Sequence, residues 1–299
     1  MSGDFSLLRV AVIGLGPMGQ NHARAVTDTA GARLAGVVDI DPRLVAKAAA
    51  TYSSPVFADV HGLIGHIDAA VIAVPPEHHA AVAVPLLKAG IACLIEKPLT
   101  ATPAQADELA AAAGSACIAV GHIERFNPAI APVLALGLEP SGISHVTAVR
   151  LAPVGGRAVA TDVVADMMVH DIDITVKLKG ADVVAVQAEG DLPTRVSAVL
   201  RYADGTEAQL VADRAAAHRE RSFKFRADGD AIEVDFLGRR ASRNGHEFPI
   251  TPQDALRTQL EDFLDAIQAR REPRVSLADG RACMDLVWRV QAAVLERAP

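Results

Sequence analysis

Between Arg9 and His122 short apolar runs rich in β-branched residues alternate with Ala-rich stretches of good helix formers. Parallel strands joined by helices produce this rhythm, because each strand is buried on both faces while each crossover helix buries only one. The pattern predicts strands at Val10–Ile13, Leu34–Val38, Pro55–Phe57, Ala70–Val74, Cys93–Ile95 and Cys117–Val120. The helices expected between them are Met18–Thr27, Pro42–Thr51, Ala80–Ala89 and Pro103–Ala113, the last opened by a Thr102 N-cap with Pro103 at its first position. Such a sheet binds ligands beyond the carboxyl ends of its strands.

After Asn127-Pro128 the period changes to one helix, several strands of alternating polarity, and two final helices. Arg195–Tyr202 and Thr206–Ala212 flank Ala203-Asp204-Gly205, and Ser222–Arg226 and Ala231–Phe236 flank Asp228-Gly229, so both pairs read as antiparallel hairpins. The fold class expected is α/β. A Rossmann doubly wound parallel sheet would occupy residues 6–124, and a C-terminal α+β domain with an open, mostly antiparallel sheet residues 125–299. An open sheet leaves one face uncovered, which predicts a homo-oligomer, dimer or tetramer.

With 299 residues, 51% of them hydrophobic, the chain can bury two cores. Charged residues or prolines break every apolar run before the roughly 18 residues of a membrane span, so no membrane partner is expected. Met1 to Leu8 include Asp4 and lack a basic start followed by a long apolar stretch, which does not resemble a secretion signal. Cys93, Cys117 and Cys283 are widely separated and suggest neither a disulfide framework nor a zinc site, in keeping with a reducing cytoplasm. A formal charge of −7 supplies no basic field for nucleic acid, although local dipoles can still hold small anions.

Gly14-Leu15-Gly16-Pro17-Met18-Gly19 follows an apolar strand and opens a helix, the arrangement that cradles a dinucleotide pyrophosphate. Asp39 ends the next strand, where a carboxylate accepts hydrogen bonds from ribose hydroxyls. The same charge would oppose a 2′-phosphate, so NAD is expected over NADP, with Arg43 the residue that could answer a phosphate instead. Glu96-Lys97-Pro98 sets a lysine at the carboxyl edge of the sheet. There Lys97 could exchange a proton with a substrate hydroxyl, or be a solvated lysine at a helix start.

In the second domain Asp162, Asp166, His170 and Asp173 recur at helical spacing and share one face, with Met167, Met168, Val169, Ile172 and Ile174 covering other directions. The stripe fits hydroxyl binding and proton transfer, or a capped helix whose histidine pairs with an aspartate. No second ligand cluster accompanies it, so no metal is expected. The polar segment from Gly121 through His122, Glu124, Arg125 and Asn127 to Pro128 should border a cleft. Arg125 could meet an anionic substrate group or tie itself to Glu124 or another carboxylate, and His122 is equally open.

Together these motifs resemble the Gfo/Idh/MocA family, named for glucose-fructose oxidoreductase and inositol dehydrogenase, whose two-domain plan spans essentially this whole chain. Val74-Pro75-Pro76-Glu77-His78-His79 departs from the family's Thr-Pro-x-x-x-His loop only by Val74 for Thr, and the resemblance implies that Val74, Pro75, His79, Glu96 and Lys97 contact the cofactor. It also implies that Lys97 is substrate ligand and proton relay, and that Asp166 and His170 orient and deprotonate the substrate hydroxyl. The Val120–Pro128 segment and His170-Asp171-Ile172-Asp173 look most like members that oxidise the ring 3-hydroxyl of a UDP-N-acetylglucosamine-like nucleotide sugar. Substrate contacts are then expected from Lys97, His122, Arg125, Asn127, Asp166 and His170. An inositol or free-sugar dehydrogenase would use the same groups, and a non-catalytic dinucleotide- and sugar-binding regulator is the reading from another class.

Overall fold

The computed structural model describes residues 7–154 and 161–297, so the expected domain limits at 6 and 299 lie outside the described residues. The first part of the chain forms β1 (Leu8–Ile13), α1 (Pro17–Asp28), β2 (Ala32–Val38), α2 (Pro42–Tyr52), β3 (Ala69–Ile72), α3 (His79–Lys88), β4 (Ala92–Glu96), α4 (Pro103–Ala113) and β5 (Ile118–Gly121). The helices start where sequence chemistry places them. Asp41 caps α2 by accepting from the Arg43 N–H, and Thr102 and Gln105 form a reciprocal capping box on α4. All five strands are parallel, in the order β2-β1-β3-β4-β5. Register pairs Ile13 with Val38 and Ile72, Ile72 with Ile95, and Glu96 with Gly121, so the carboxyl ends stand level.

One expected strand is corrected. Pro55–Phe57 makes a single parallel bridge, Val56 beside Val37, because Pro55 has no N–H and too short a run follows it to extend a ladder.

The second part carries α5 (Ala131–Leu134), β6 (Ile143–Leu151), a π-helical turn (Val164–Met168) leading into α6 (Val169–Lys179), and seven strands. These are β7 (Val183–Asp191), β8 (Arg195–Tyr202), β9 (Glu207–Asp213), β10 (Glu220–Ala227), β11 (Asp230–Asp235), β12 (Arg240–Arg243) and β13 (His246–Glu247). They join β6 in one eight-stranded sheet ordered β13-β12-β11-β10-β6-β9-β8-β7, antiparallel except where β6 meets β9. Both hairpins form as expected. Val196, Ala198, Leu200, Leu210, Phe223 and Phe225 alternate into the core, and their neighbours face outward.

The chain ends in α7 (Ala255–Ala269) and α8 (Leu277–Arg297). Here the contiguous division at residue 124 is corrected: one compact unit comprises Met1–Ile123 with Asp254–Gly280, the other Glu124–Gln253 with Arg281–Pro299. The physical reason is apolar. Leu256, Leu260, Phe263 and Leu264 on α7 complete a core with Val10, Val12, Val37, Val71 and Leu94 of the parallel sheet and Ala23 and Val26 of α1. Among the described residues no helix is long and apolar enough to cross a membrane.

Phe263 is fully buried. Phe263→Ala is therefore expected to lower the unfolding free energy by about 3–5 kcal/mol in chemical denaturation, whereas exposed Asp265→Ala changes it little; equal small losses would show that α7 does not belong to this core.

Candidate active site

The glycine turn is built by three different steric demands. Gly14 lies at φ +86°, and a Cβ there would approach the Ala73 carbonyl oxygen to 2.6 Å. Gly19 touches backbone as well, its hypothetical Cβ falling 1.7 Å from the Gly14 oxygen. Gly16 differs: a Cβ on it would meet nothing within 4 Å, so its surface faces open space just where α1 begins. A helix N-terminus with no acidic residue in its first turn, beside an uncovered glycine, fits the pyrophosphate of a dinucleotide. Pro17 occupies the first helical position, and Met18 packs on the sheet core.

Asp39 stands at the end of β2 and anchors this turn. Its carboxylate accepts the Leu15 N–H at 2.5 Å and the Asp41 N–H at 2.8 Å. Ile40 beside it is fully exposed. Arg43, the group that could answer a 2′-phosphate, is paired with Asp41 through Nη2 at 2.8 Å.

After β3, Val74 is partly exposed and Pro75 exposed, open to a ligand. His79 is not: its ring is buried, with Nε2 2.9 Å from the Val74 oxygen and Nδ1 3.0 Å from the Leu99 oxygen. The imidazole thus ties two loops of the sheet edge together, and its burial lowers its pKa despite those carbonyls. Glu96 is buried as well. Its carboxylate is buried, with Oε1 2.7 Å from His22 Nε2 on α1 and Oε2 accepting the Lys97 N–H at 3.0 Å. Burial alone would push the Glu96 carboxyl up, but the hydrogen bond and charge of His22, followed by Lys97, bring it below its ordinary value. Lys97 follows it at the level carboxyl edge, partly exposed, before a cis bond to Pro98. His122, directly after β5, is buried.

In the second unit, Arg125 and Asp173 are both buried and joined by two parallel bonds, Nε to Oδ2 at 2.8 Å and Nη2 to Oδ1 at 2.7 Å. Arg150 bridges Asp171, at 2.9 and 2.8 Å, and Glu124 at 3.0 Å. Burial opposes the Arg150 charge, yet the two carboxylates more than offset it and raise its pKa. Asn127 donates to Glu124 at 2.9 Å and accepts the Ala129 N–H at 3.0 Å. Arg125 is thus held inside this unit, while Asn127 is partly exposed.

The acidic stripe also divides. Asp162 caps the π-helical turn, accepting the Val164 and Ala165 N–H groups at 2.9 and 3.0 Å, and holds Gln291 at 2.7 Å. Asp173 is fully buried on Arg125. Asp166 and His170, one turn apart, remain partly exposed and can meet a ligand. Arg214, just past β9, reaches Asp166 at 3.4 Å and donates to the Thr161 carbonyl at 3.1 Å. Sequence reading missed Arg214, because a single arginine after a strand carries no periodic signal.

Comparison with known proteins agrees with this geometry. Residues 8–122 match the model of an oxidoreductase family with an NAD-binding Rossmann fold. UDP-N-acetylglucosamine 3-dehydrogenase of Acidithiobacillus ferrooxidans is 33% identical over 96% of this chain and 97% of its own. Its solved structure superposes with a TM-score of 0.90 over the same shares. Inositol 2-dehydrogenase of Rhizobium meliloti is 27% identical over 97% of this chain and 98% of its own. Levoglucosan dehydrogenase, solved in complex with NADH, shares the fold at 19% identity, with a TM-score of 0.84 and 97% of each chain covered. A full-length relative of this similarity, together with the glycine turn, Asp39 and the Glu96-Lys97-Pro98 edge, places the chain in the Gfo/Idh/MocA family of oxidoreductases, as a dehydrogenase of CH–OH groups.

Proposed function

We propose that the chain oxidises a sugar secondary alcohol with NAD, its substrate being a UDP-N-acetylglucosamine-like nucleotide sugar attacked at the ring 3-hydroxyl. The observation that carries this reading is the full-length similarity to the Acidithiobacillus enzyme, combined with a partly exposed Lys97, Asp166 and His170. Residues of the first unit, Gly14 to Gly19, Asp39, Val74 and Pro75, would hold the dinucleotide, and the second unit would bind the sugar. Bound NAD supplies the hydride acceptor. The protein's own part is proton management: His170, with Asp166 one turn away, orients and deprotonates the substrate hydroxyl, and Lys97 binds that oxygen and relays its proton. Asp166 is in turn approached by Arg214. An inositol or free sugar could use the same three groups. A non-catalytic regulator would have no need to keep them.

A panel of UDP-sugars, inositols and free sugars followed by NADH absorbance is expected to single out a UDP-N-acetylhexosamine. On that substrate Lys97→Ala and His170→Ala should each lower turnover by roughly 100-fold or more, with NAD affinity little changed because the glycine turn is untouched. Near-normal turnover in both variants would overturn the assignment.

Asp39 supports NAD over NADP, since its carboxylate favours ribose hydroxyls, while Arg43 is engaged by Asp41. Calorimetry should find NAD bound the more tightly by the wild-type protein, and Asp39→Ala should narrow the difference; tighter NADP binding by the wild type would reverse the reading.

The outward face of the eight-stranded sheet carries a cross-strand row Ser197, Val211, Val149 and Ser222, beside Val199, Gln209 and Thr147. An uncharged centre of this kind, rimmed by Glu189, Lys224 and Glu233, suits self-association about a two-fold axis. Light scattering at micromolar concentration should return a dimer or tetramer, and a monomeric mass would remove the proposal.

A further inference from the structure

His22 is fully buried on α1, three residues beyond the last glycine of the turn, and its Nε2 meets Glu96 Oε1 at 2.7 Å. Its other nitrogen, Nδ1, is buried with no hydrogen-bond partner. A buried carboxylate and a half-satisfied imidazole are a poor way to stabilise a sheet edge, where apolar side chains would pack at lower cost. The slot is nevertheless purpose-built. Gly121 on the neighbouring strand leaves room for it, since a Cβ there would lie 2.9 Å from the Glu96 Cα and 3.0 Å from Oε2. The same Oε2 accepts the backbone N–H of Lys97.

We propose that His22 and Glu96 are a positioning pair for Lys97, linking the helix that receives the dinucleotide pyrophosphate to the backbone from which the proton-relaying lysine projects. The chain of contacts is short and continuous: glycine turn, α1, His22, Glu96, Lys97 N–H. It rests on the reading of Lys97 as the proton relay. Neither His22 nor Glu96 touches the reacting atoms in this scheme. Their task is to fix the lysine backbone against the helix that fixes the cofactor, so that a lateral displacement of either is resisted by two hydrogen bonds. Glu96 thereby has a positioning role in the same reaction.

The test uses the full chain with its preferred sugar substrate, active sites counted by NAD titration, and four variants: His22→Leu, His22→Asn, His22→Gln and Lys97→Ala. His22→Leu removes the bond at similar volume, His22→Asn is too short to reach Glu96, and His22→Gln can still donate to it. Expected for His22→Leu and His22→Asn is a roughly 10- to 100-fold fall in kcat, with the NAD dissociation constant within about threefold and a larger isotope effect on substrate deuterated at the oxidised carbon. His22→Gln should recover most of the rate. If His22→Leu does not fold, His22→Asn against His22→Gln decides alone. A kcat within about twofold of wild type in His22→Asn while Lys97→Ala is inactive would overturn the positioning role and leave the lysine reading intact. Normal turnover in Lys97→Ala would overturn both. A loss in His22→Asn that His22→Gln does not restore, or that is matched by an equal loss of NAD affinity, would mean that His22 is structural only.

Discussion

Gly19 sits so close to Gly14 that a Cβ on it would lie 1.7 Å from the Gly14 carbonyl oxygen. No side chain can intervene, so α1 packs onto the end of β1 backbone to backbone, and several features of the first unit follow. The helix N-terminus is held at the level edge where Ile13, Val38, Ile72 and Ile95 stand in register. Gly14 in turn presses on the Ala73 carbonyl, which clamps the loop after β3 to the turn after β1 at the point where strand order reverses. His22, one turn further along α1, is brought within 2.7 Å of Glu96 on β4. Three glycines, an aspartate that accepts the Leu15 N–H and a histidine thus form one mechanical object, and of its three glycines Gly16 alone would meet nothing with a Cβ.

The second unit solves a different problem, that of burying charge. Glu124, Arg125, Arg150, Asp171 and Asp173 are all nearly inaccessible, and a lone ion at any of those positions would be costly. They are tolerated because each guanidinium meets carboxylate edge to edge: Arg125 with Asp173, Arg150 with Asp171 and Glu124. A fork-to-fork pair has one good geometry, which an apolar contact of equal volume lacks. The α6 helix is therefore locked in rotation by Asp171 and Asp173 together, and that rotation decides which way His170 looks.

Much of the fold was legible in the pattern of residues, for physical reasons. Strands buried on both faces leave uninterrupted β-branched runs, and Thr102-Pro103 can hardly do anything but start a helix. Pro55–Phe57 misled because its two bonds to Val37 make one bridge and the run is too short to extend them into a ladder. The return of α7 to the first unit was illegible, since Leu256, Leu260 and Phe263 announce an amphipathic helix without saying which core receives it. The same limit applied to polar residues. The motif residues Gly14, Gly16, Gly19, Asp39 and Lys97 stand at the expected edge, whereas Arg125, His79 and Glu96 are buried on protein partners. Sequence shows that a group must be satisfied, not whether a ligand or another side chain satisfies it.

The helix carrying Asp166 and His170 opens with one local irregularity. In a straight α-helix Asp162, Asp166, His170 and Asp173 would share a single face. A π-helical turn at Val164–Met168 winds more loosely, bonding the Val169 N–H back to Val164, and so shifts the phase of everything after it. Residues four apart across that turn come closer to eclipse, which keeps Asp166 and His170 together on the partly exposed side. Asp173, three residues beyond His170 on the same α6 helix, faces inward onto Arg125 with or without that turn, and Asp162 caps the turn itself. Such turns weaken a helix, so a turn that holds Asp166 and ends two residues before His170 is best understood as serving the alignment of these two groups rather than the stability of the fold.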